Sequence, residues 1–162
     1  MKKLEKLVVG TLILVMAFAF AGCSSSEPEE TYDSIYEEYS TKIEEAGTKA
    51  LKEFKEEAAD ETDITSLAEI ANNKVMDIAT VQVEGGSKMA ELMTKNGDEY
   101  SKYEEAYNKL YSVYNEQGMK VYSAYINRYA ETVPGMTDSM KQTMKDSFKS
   151  AMESMAPIES EE

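Results

Sequence analysis

No proline lies between Pro28 and Pro134, and this absence constrains the fold more than any other feature of the sequence. Proline is the residue that a helix interior tolerates least, so nothing in this stretch forces the backbone to break. Strong turn signals occur there only at Asp60-Glu61-Thr62-Asp63 and Asn96-Gly97-Asp98, while apolar residues recur at helical spacing. The sequence therefore predicts long helices separated by short turns.

The first two predicted helices differ in the pattern of their apolar positions. The first runs from about Tyr32 to Ala59, and its apolar positions form a heptad series at Tyr32, Tyr36, Tyr39, Ile43, Ala46 and Ala50. The second begins near Asp63 or Ser66 and continues to Lys95. A capping box at Ser66-Leu67-Ala68-Glu69 fits its start. The pair Gly85-Gly86 predicts a kink or a close helix contact there, and a break into two helices is the alternative.

Two more helices follow the turn at Asn96-Gly97-Asp98, in which Asn or Gly is suited to end one helix and Asp to cap the next. The third runs to about Thr132, and the shorter fourth ends near Met155. Short connections between helices of similar length favour antiparallel neighbours. We therefore predict an all-α fold over 32–156, an elongated antiparallel bundle of three long helices plus a shorter fourth helix, followed by a disordered acidic tail at 157–162.

The third helix contains the phrase Tyr-Ser-x-Tyr three times at an interval of eleven residues, beginning at Tyr100, Tyr111 and Tyr122. Eleven residues make almost three helical turns, so the tyrosines share one face. One interpretation places this face in the core, because tyrosine buries a large ring while its hydroxyl reaches a polar edge. The other is an exposed aromatic platform for a ligand. The candidate ligand surface on this helix consists of Tyr103, Tyr107, Tyr114 and Tyr125.

The fourth helix carries a methionine stripe, which consists of Met136, Met140, Met144, Phe148, Met152 and Met155. The simplest interpretation is a docking helix, since methionine fills irregular gaps. A detachable helix that uncovers a groove and a thioether site for cuprous copper are the alternatives. Copper needs ligands that converge, and one stripe does not supply them, so we predict no metal site. Met140 and Met144 complete the candidate ligand surface.

Composition limits the chemistry available to the chain. It has no histidine, so the commonest general base is missing. Its single cysteine is Cys23, so the predicted helical region has no thiol nucleophile. We therefore predict neither an enzyme nor a cofactor. Without residues 1–22 the chain keeps 14 basic and 30 acidic residues, a net charge of −16. Such a surface repels nucleic acid and anionic lipid headgroups. It attracts a cationic peptide, polyamines or divalent ions.

The amino terminus has three parts: a basic start, an apolar run from Leu7 to Phe20, and the small pair Ala21-Gly22 before Cys23. This pattern resembles the signal of bacterial lipoproteins. The resemblance implies removal of a signal peptide over 1–22, cleavage between Gly22 and Cys23, and a diacylglycerol thioether on Cys23. The run is shorter than a membrane-spanning helix requires. An ordinary signal peptide would leave an odd thiol in an oxidising compartment.

The lipid on Cys23 would hold the protein at the cell membrane, facing the extracellular or periplasmic side, with 23–31 as a flexible acidic tether. Residues 89–93 and 95–98 are similar to small, uncharacterised lipoproteins of Gram-positive bacteria, a resemblance that implies no activity. We therefore predict a non-catalytic interaction or scaffold module of the cell envelope, with a protein or cationic peptide as its partner. The alternative is a lipoprotein that captures an amphipathic or cationic ligand on the Tyr/Met surface. The oligomeric state is left open.

Overall fold

The computed structural model describes residues 30–154, and in this region the fold is all-α. Four helices pack together: α1 (Tyr32–Glu57), α2 (Ile64–Asn96), α3 (Tyr100–Thr132) and α4 (Asp138–Ser154). These bounds lie within a few residues of the predicted ones. The signal peptide, Cys23, Met155 and the tail over 157–162 lie outside the described residues.

Local capping explains where the first two helices begin. Thr31 and Ser34 form a reciprocal capping box, in which the Thr31 hydroxyl accepts from the Ser34 amide at 3.1 Å. The Asp63 carboxylate caps α2 by accepting from the Ser66 amide at 2.8 Å, and this hydrogen bond lowers the pKa of Asp63. The predicted capping box at Ser66 is therefore wrong, because Ser66 already lies in the first turn of α2.

The turn between α2 and α3 uses the predicted glycine but not the predicted cap. Gly97 takes the left-handed conformation with φ 67°, and its amide donates to the Met93 carbonyl. The N-cap of α3 is Glu99, which makes no side-chain cap hydrogen bond. Asp98, the cap that the sequence predicted, instead accepts from Lys102 Nζ at 3.2 Å. The Asp98 carboxylate therefore pairs with the Lys102 ammonium group in the first turn of α3 and does not cap the helix.

The three long helices each contact the other two, whereas α4 contacts only α3. Many of the most deeply buried side chains repeat at eleven residues, namely Ile43 and Phe54 on α1, Leu67, Ile78 and Met89 on α2, and Leu110 and Val121 on α3. Ile35 of α1 and Ile126 of α3 are also fully buried and lie outside this series. The spacing of eleven residues matches the helical repeat more closely than a heptad does, so it keeps one face buried without a left-handed supercoil.

The heptad predicted for α1 is confirmed only in part, because Tyr39, Ile43 and Ala50 are buried while its other positions pack against the edge of the core. Ile35 is buried, whereas Tyr32 and Tyr36, on which the heptad series was anchored, are only half-buried. The buried face of α1 follows steps that are mostly of four residues, through Ile35, Tyr39, Ile43, Gly47, Ala50 and Phe54. Tyrosine counts as apolar in a sequence pattern, but it occupies the edge of this core rather than its centre.

The glycine pair of α2 lies at a close contact between helices, and α2 is continuous through it. A Cβ atom added to Gly85 would lie 2.6 Å from Leu110 Cδ2 of α3 and 2.8 Å from Tyr39 Cγ of α1. Gly47 of α1 makes a similar approach, since its added Cβ would lie 2.6 Å from Gln117 Cβ. The predicted close contact is confirmed, and the alternative of two separate helices is wrong.

Polar contacts hold the turn between α1 and α2. The Arg128 guanidinium of α3 donates from Nε to the Ala58 carbonyl and from Nη2 to the Glu61 carbonyl, both at 2.9 Å. Lys74 Nζ of α2 lies 3.0 Å from Glu53 Oε2 and 2.7 Å from Glu57 Oε1 of α1. The Arg128 hydrogen bonds satisfy the carbonyl of Ala58, which the end of α1 leaves free, and the carbonyl of Glu61 in the turn that follows. The Lys74 contact joins two helices at a partly buried cation.

We predict that Gly85→Leu lowers the free energy of unfolding by about 2 kcal/mol or more, because overpacking outweighs the better helix propensity of leucine. Ser87→Leu is the matched control, since it places the same side chain on the exposed face of the same helix. It should change stability by no more than about 0.5 kcal/mol. Urea denaturation measures both, and equal effects would contradict the close contact.

The Lys74 ion pair predicts a pH-dependent contribution to stability. The hydrogen bond from Lys74 lowers the pKa of Glu53, so this stabilisation is present above the ordinary glutamate range and is lost as the pH falls through and below about 4.3. Glu53 is about a third exposed, so we expect Glu53→Gln to cost only about 0.5–1 kcal/mol at pH 7. The difference from the native chain should shrink as the pH falls below about 4.3. Exposed Glu45→Gln is the control and should leave the stability at pH 7 unchanged, and a cost of Glu53→Gln that does not shrink as the pH falls would refute the assignment.

Candidate functional site

The tyrosine face of α3 lies beside the core rather than at its centre. We define it as Tyr100, Tyr103, Tyr107, Tyr111, Tyr114, Tyr122, Tyr125 and Tyr129. Most of these rings are half-buried, and the deepest side chains of α3 are Leu110, Val121 and Ile126. The amino-terminal rings form a continuous series, with centroids 5.6 Å apart for Tyr100 and Tyr103, then 5.7, 6.3 and 5.5 Å for the pairs that end at Tyr114. The face therefore covers the side of the core.

Burial controls the chemistry of these phenols. It is the largest cause that raises the pKa of Tyr103, Tyr111, Tyr114, Tyr122 and Tyr125, and neighbouring tyrosines raise most of them further. A raised phenol pKa keeps the hydroxyl protonated at neutral pH. These side chains therefore offer neutral hydrogen-bonding groups and aromatic surface, and none of them is poised as a base.

Helix α4 covers the carboxy-terminal half of the tyrosine face. The Phe148 ring stacks on Tyr122 with centroids 4.5 Å apart and meets the edge of Tyr125 at 6.2 Å. The buried Tyr111 hydroxyl donates to the Met152 carbonyl at 2.9 Å. Met152 is the only buried residue of α4. Docking of α4 onto α3 therefore depends on a few aromatic and methionine contacts.

The six residues of the predicted ligand surface do not form one groove. Because Phe148 lies opposite Tyr122 and Met152 opposite Tyr111, α4 runs back along α3. Met140 and Met144 therefore lie towards the carboxy-terminal end of α3, far from Tyr103 and Tyr107 near its start.

The individual positions of the six residues also differ. The Tyr107 ring packs against Gly86 of α2, and Tyr125 is only 8% exposed under α4. Met144 packs against the core, whereas Met140 is 52% exposed. Tyr114 contacts Tyr111, and Tyr103 contacts its neighbours Tyr100 and Tyr107.

A groove that the sequence did not predict lies on another side of α3. It lies between α1 and α3, with two adjoining hollows of about 430 and 370 Å³ that share Leu51, Lys55 and Lys120. Lys120 Nζ lies 2.9 Å from Glu116 Oε1 and donates to Gln117 Oε1 at 3.1 Å. Gly47, the only glycine of α1, was the one sequence signal at this place, and it lets α1 approach Gln117 of α3 closely at the floor of the groove.

Among residues 30–154, no group of three His, Cys, Asp or Glu side chains is placed to hold a metal ion. No helix in the same range is long and apolar enough to cross a membrane. The predicted lipidation and cleavage residues, Cys23 and Gly22, lie outside the described residues. Comparison with protein-family models, with curated proteins and with solved structures finds nothing that matches the chain.

We predict that Phe148→Ala weakens the docking of α4 without unfolding the three long helices, because α4 contacts only α3. The loss of a half-buried aromatic ring should cost about 2 kcal/mol of local stability. Hydrogen exchange of the α4 amides should then be roughly thirtyfold faster. Met140→Ala is the control, since Met140 is 52% exposed and should leave the exchange unchanged. Unaltered α4 protection in Phe148→Ala would show that the ring does not hold the helix.

Proposed function

We propose that this protein is a membrane-anchored lipoprotein on the extracytoplasmic side of the cell membrane and a non-catalytic interaction or scaffold module of the cell envelope. The observation that carries the proposal is the position of Cys23, directly after the apolar run and the Ala21-Gly22 pair. Two acyl chains on one cysteine anchor a protein durably, whereas a single chain binds a membrane only marginally.

The distance between the anchor and the helices supports a role close to the membrane. Only residues 24–31 separate Cys23 from the start of α1 at Tyr32. Even fully extended, eight residues span no more than about 30 Å. The first turn of α1 would therefore stay within that distance of the bilayer surface.

We further propose that the three long helices run up, down and up, as an elongated antiparallel bundle with α4 folded back on it. The order of contacts supports this arrangement. Along α1 and α2, Glu53 meets Lys74 whereas Tyr39 meets Gly85, so the contacts run in opposite order. Along α2 and α3, Tyr122 donates to Asn72 and Tyr107 lies against Gly86. The α2–α3 turn would then face the membrane.

The remaining end of the arrangement would point away from the membrane. It comprises the α1–α2 turn at 58–63 and the α3–α4 turn at 133–137. Arg128, near the end of α3, donates to the Glu61 carbonyl and so holds the end of α3 beside the α1–α2 turn. A partner from outside would meet this end or the flanks of the long helices. The net charge of −16 after removal of residues 1–22 favours a cationic partner and disfavours nucleic acid.

We predict that Cys23→Ala releases the protein from the membrane fraction, because the acceptor of the lipid is removed. In the native protein, intact mass spectrometry should show a chain that begins at Cys23 and carries a diacylglycerol. Ser24→Ala is the matched control, which keeps the thiol and should stay in the membrane fraction. A Cys23→Ala protein that remains there would show that lipidation is not the anchor.

A further inference from the structure

Helix α2 has a second face that no described helix covers. We call it the outer strip of α2; it consists of Asn73, Met76, Thr80, Val83, Ser87, Ala90 and Thr94. Its positions alternate in steps of three and four, as in the seam of a coiled coil. Met76 is 65% exposed and Val83 is 59% exposed, which makes them the two most exposed large apolar side chains of the described residues. The buried seam of α2 uses different positions, among them Ile78, Gly85 and Met89.

Two of the four polar members of the outer strip, Thr80 and Thr94, have their hydroxyl donors satisfied within α2. The Thr80 hydroxyl donates to the Met76 carbonyl, and the Thr94 hydroxyl donates to the Ala90 carbonyl, both at 3.0 Å. Because these hydroxyl donors are satisfied within α2, an apolar partner could cover them without leaving a buried donor unpaired. The strip carries no charged side chain, in a chain of which 30% of the residues are charged.

One flank of the outer strip is acidic. Asp77, Glu84 and Glu91 are exposed and lie one residue after Met76, Val83 and Ala90, so they form a row with the spacing of the seam. The exposed lysines Lys88 and Lys95 lie farther round the same side of α2, so the exposed flank as a whole carries a net charge of −1, and Lys74 on that side pairs with Glu53 and Glu57 of α1. The row nearest the strip is acidic. The net negative charge of the whole chain adds to the negative potential along this row. A helix that packs on the strip and carries basic residues along the matching edge would complement both the seam and the row.

A second copy of this chain fits the same face less well. In an antiparallel pair of copies, the position one residue after Met76, Val83 or Ala90 on one copy packs beside the equivalent position on the other. Asp77, Glu84 and Glu91 would therefore face the same acids of the other copy. In a parallel pair they would face the residues before the seam, Asn72, Ala79, Gly86 and Met93, which carry no charge. Neither arrangement provides an opposite charge. The electrostatics therefore favour a different partner.

We propose that the outer strip of α2 is the docking site for a basic amphipathic helix of a partner protein. The apolar side of that helix packs on Met76 and Val83, and its Lys or Arg residues lie along Asp77, Glu84 and Glu91. The strip extends about 30 Å from residue 73 to residue 94, so it accommodates a helix of roughly 20 residues. The proposal rests on the proposed function in naming the partner-binding surface of an interaction module; the contact itself requires no lipid.

The test uses the full mature lipidated protein in nanodiscs of phosphatidylcholine, with empty nanodiscs as the blank. One probe is a synthetic helical peptide of three heptads with leucine along its seam and lysine on both flanks. The second is the same peptide with glutamate in place of every lysine. Isothermal titration calorimetry should show binding of the lysine peptide alone, and raising NaCl from 50 to 500 mM should weaken it tenfold or more. Binding of the glutamate peptide with equal affinity would overturn the proposal.

Matched variants separate the strip from a general attraction between a basic peptide and an acidic protein. Met76→Lys with Val83→Lys should weaken binding of the lysine peptide at least tenfold. Ser101→Lys with Ser112→Lys adds the same charge on exposed positions of α3 and should weaken it less than threefold. Equal losses in the two double variants would show that the attraction is diffuse and overturn the proposal. All four positions are exposed, so thermal melts should confirm that both variants remain folded.

Charge reversal provides the complementary result. Asp77→Lys, Glu84→Lys and Glu91→Lys together should transfer the preference to the glutamate peptide, and an unchanged preference would overturn the proposal. So would sedimentation that shows a dimer which Met76→Lys with Val83→Lys converts to a monomer, since the occupant would then be a second copy. Failure of the Cys23→Ala prediction alongside these binding results would refute the anchor and leave the docking site standing.

Discussion

The spacing of the three long helices depends on a side chain that is missing. At Gly85 the backbone of α2 lies so close to Leu110 of α3 and Tyr39 of α1 that a single added carbon would clash with both. Because one position touches two helices, it fixes their separation and their register together: sliding α2 by one helical turn would bring a side chain into a space that holds none. Gly47, opposite Gln117, imposes the same condition between α1 and α3. The layers of the core, repeated every eleven residues, can meet only in this register.

Close packing matters more here because electrostatics opposes it. Most ion pairs of the described residues join neighbouring turns of one helix, and such pairs add little. Contacts between helices that involve a cation are those of Lys74 and Arg128, and both hold the region where α1 ends and α2 begins. Elsewhere in the described region no ion pair within 4 Å joins two helices. Apolar burial must therefore supply the stability that a net charge of −14 reduces.

Local signals in the sequence predicted the helices well, because Asp63 and Gly97 act within one turn of the backbone that they cap or end. The buried face of α1 was predicted only in part, since the pattern counted Tyr32 and Tyr36 as central positions, whereas they pack against the edge of the core and Ile35 is buried instead. The ligand surface failed to form a groove for a different reason. Which tyrosine meets which methionine depends on the register of α4 along α3, set by Phe148 on Tyr122. No periodicity within either helix contains that information.

The two faces of α2 differ in what they demand of the sequence. Its buried face needs glycine and large apolar side chains because space there is fixed by two other helices. Its outer strip has no such constraint, and charged residues there would only improve solubility. Folding alone therefore does not explain why the outer strip, which begins at Asn73 and ends at Thr94 beside a row of acids, carries no charged side chain. The outer strip has only two large apolar side chains, Met76 and Val83, so a contact through it is weak in solution. On a membrane, the proposed anchor would raise the effective concentration of this protein beside a partner held there, so a weak contact would be sufficient.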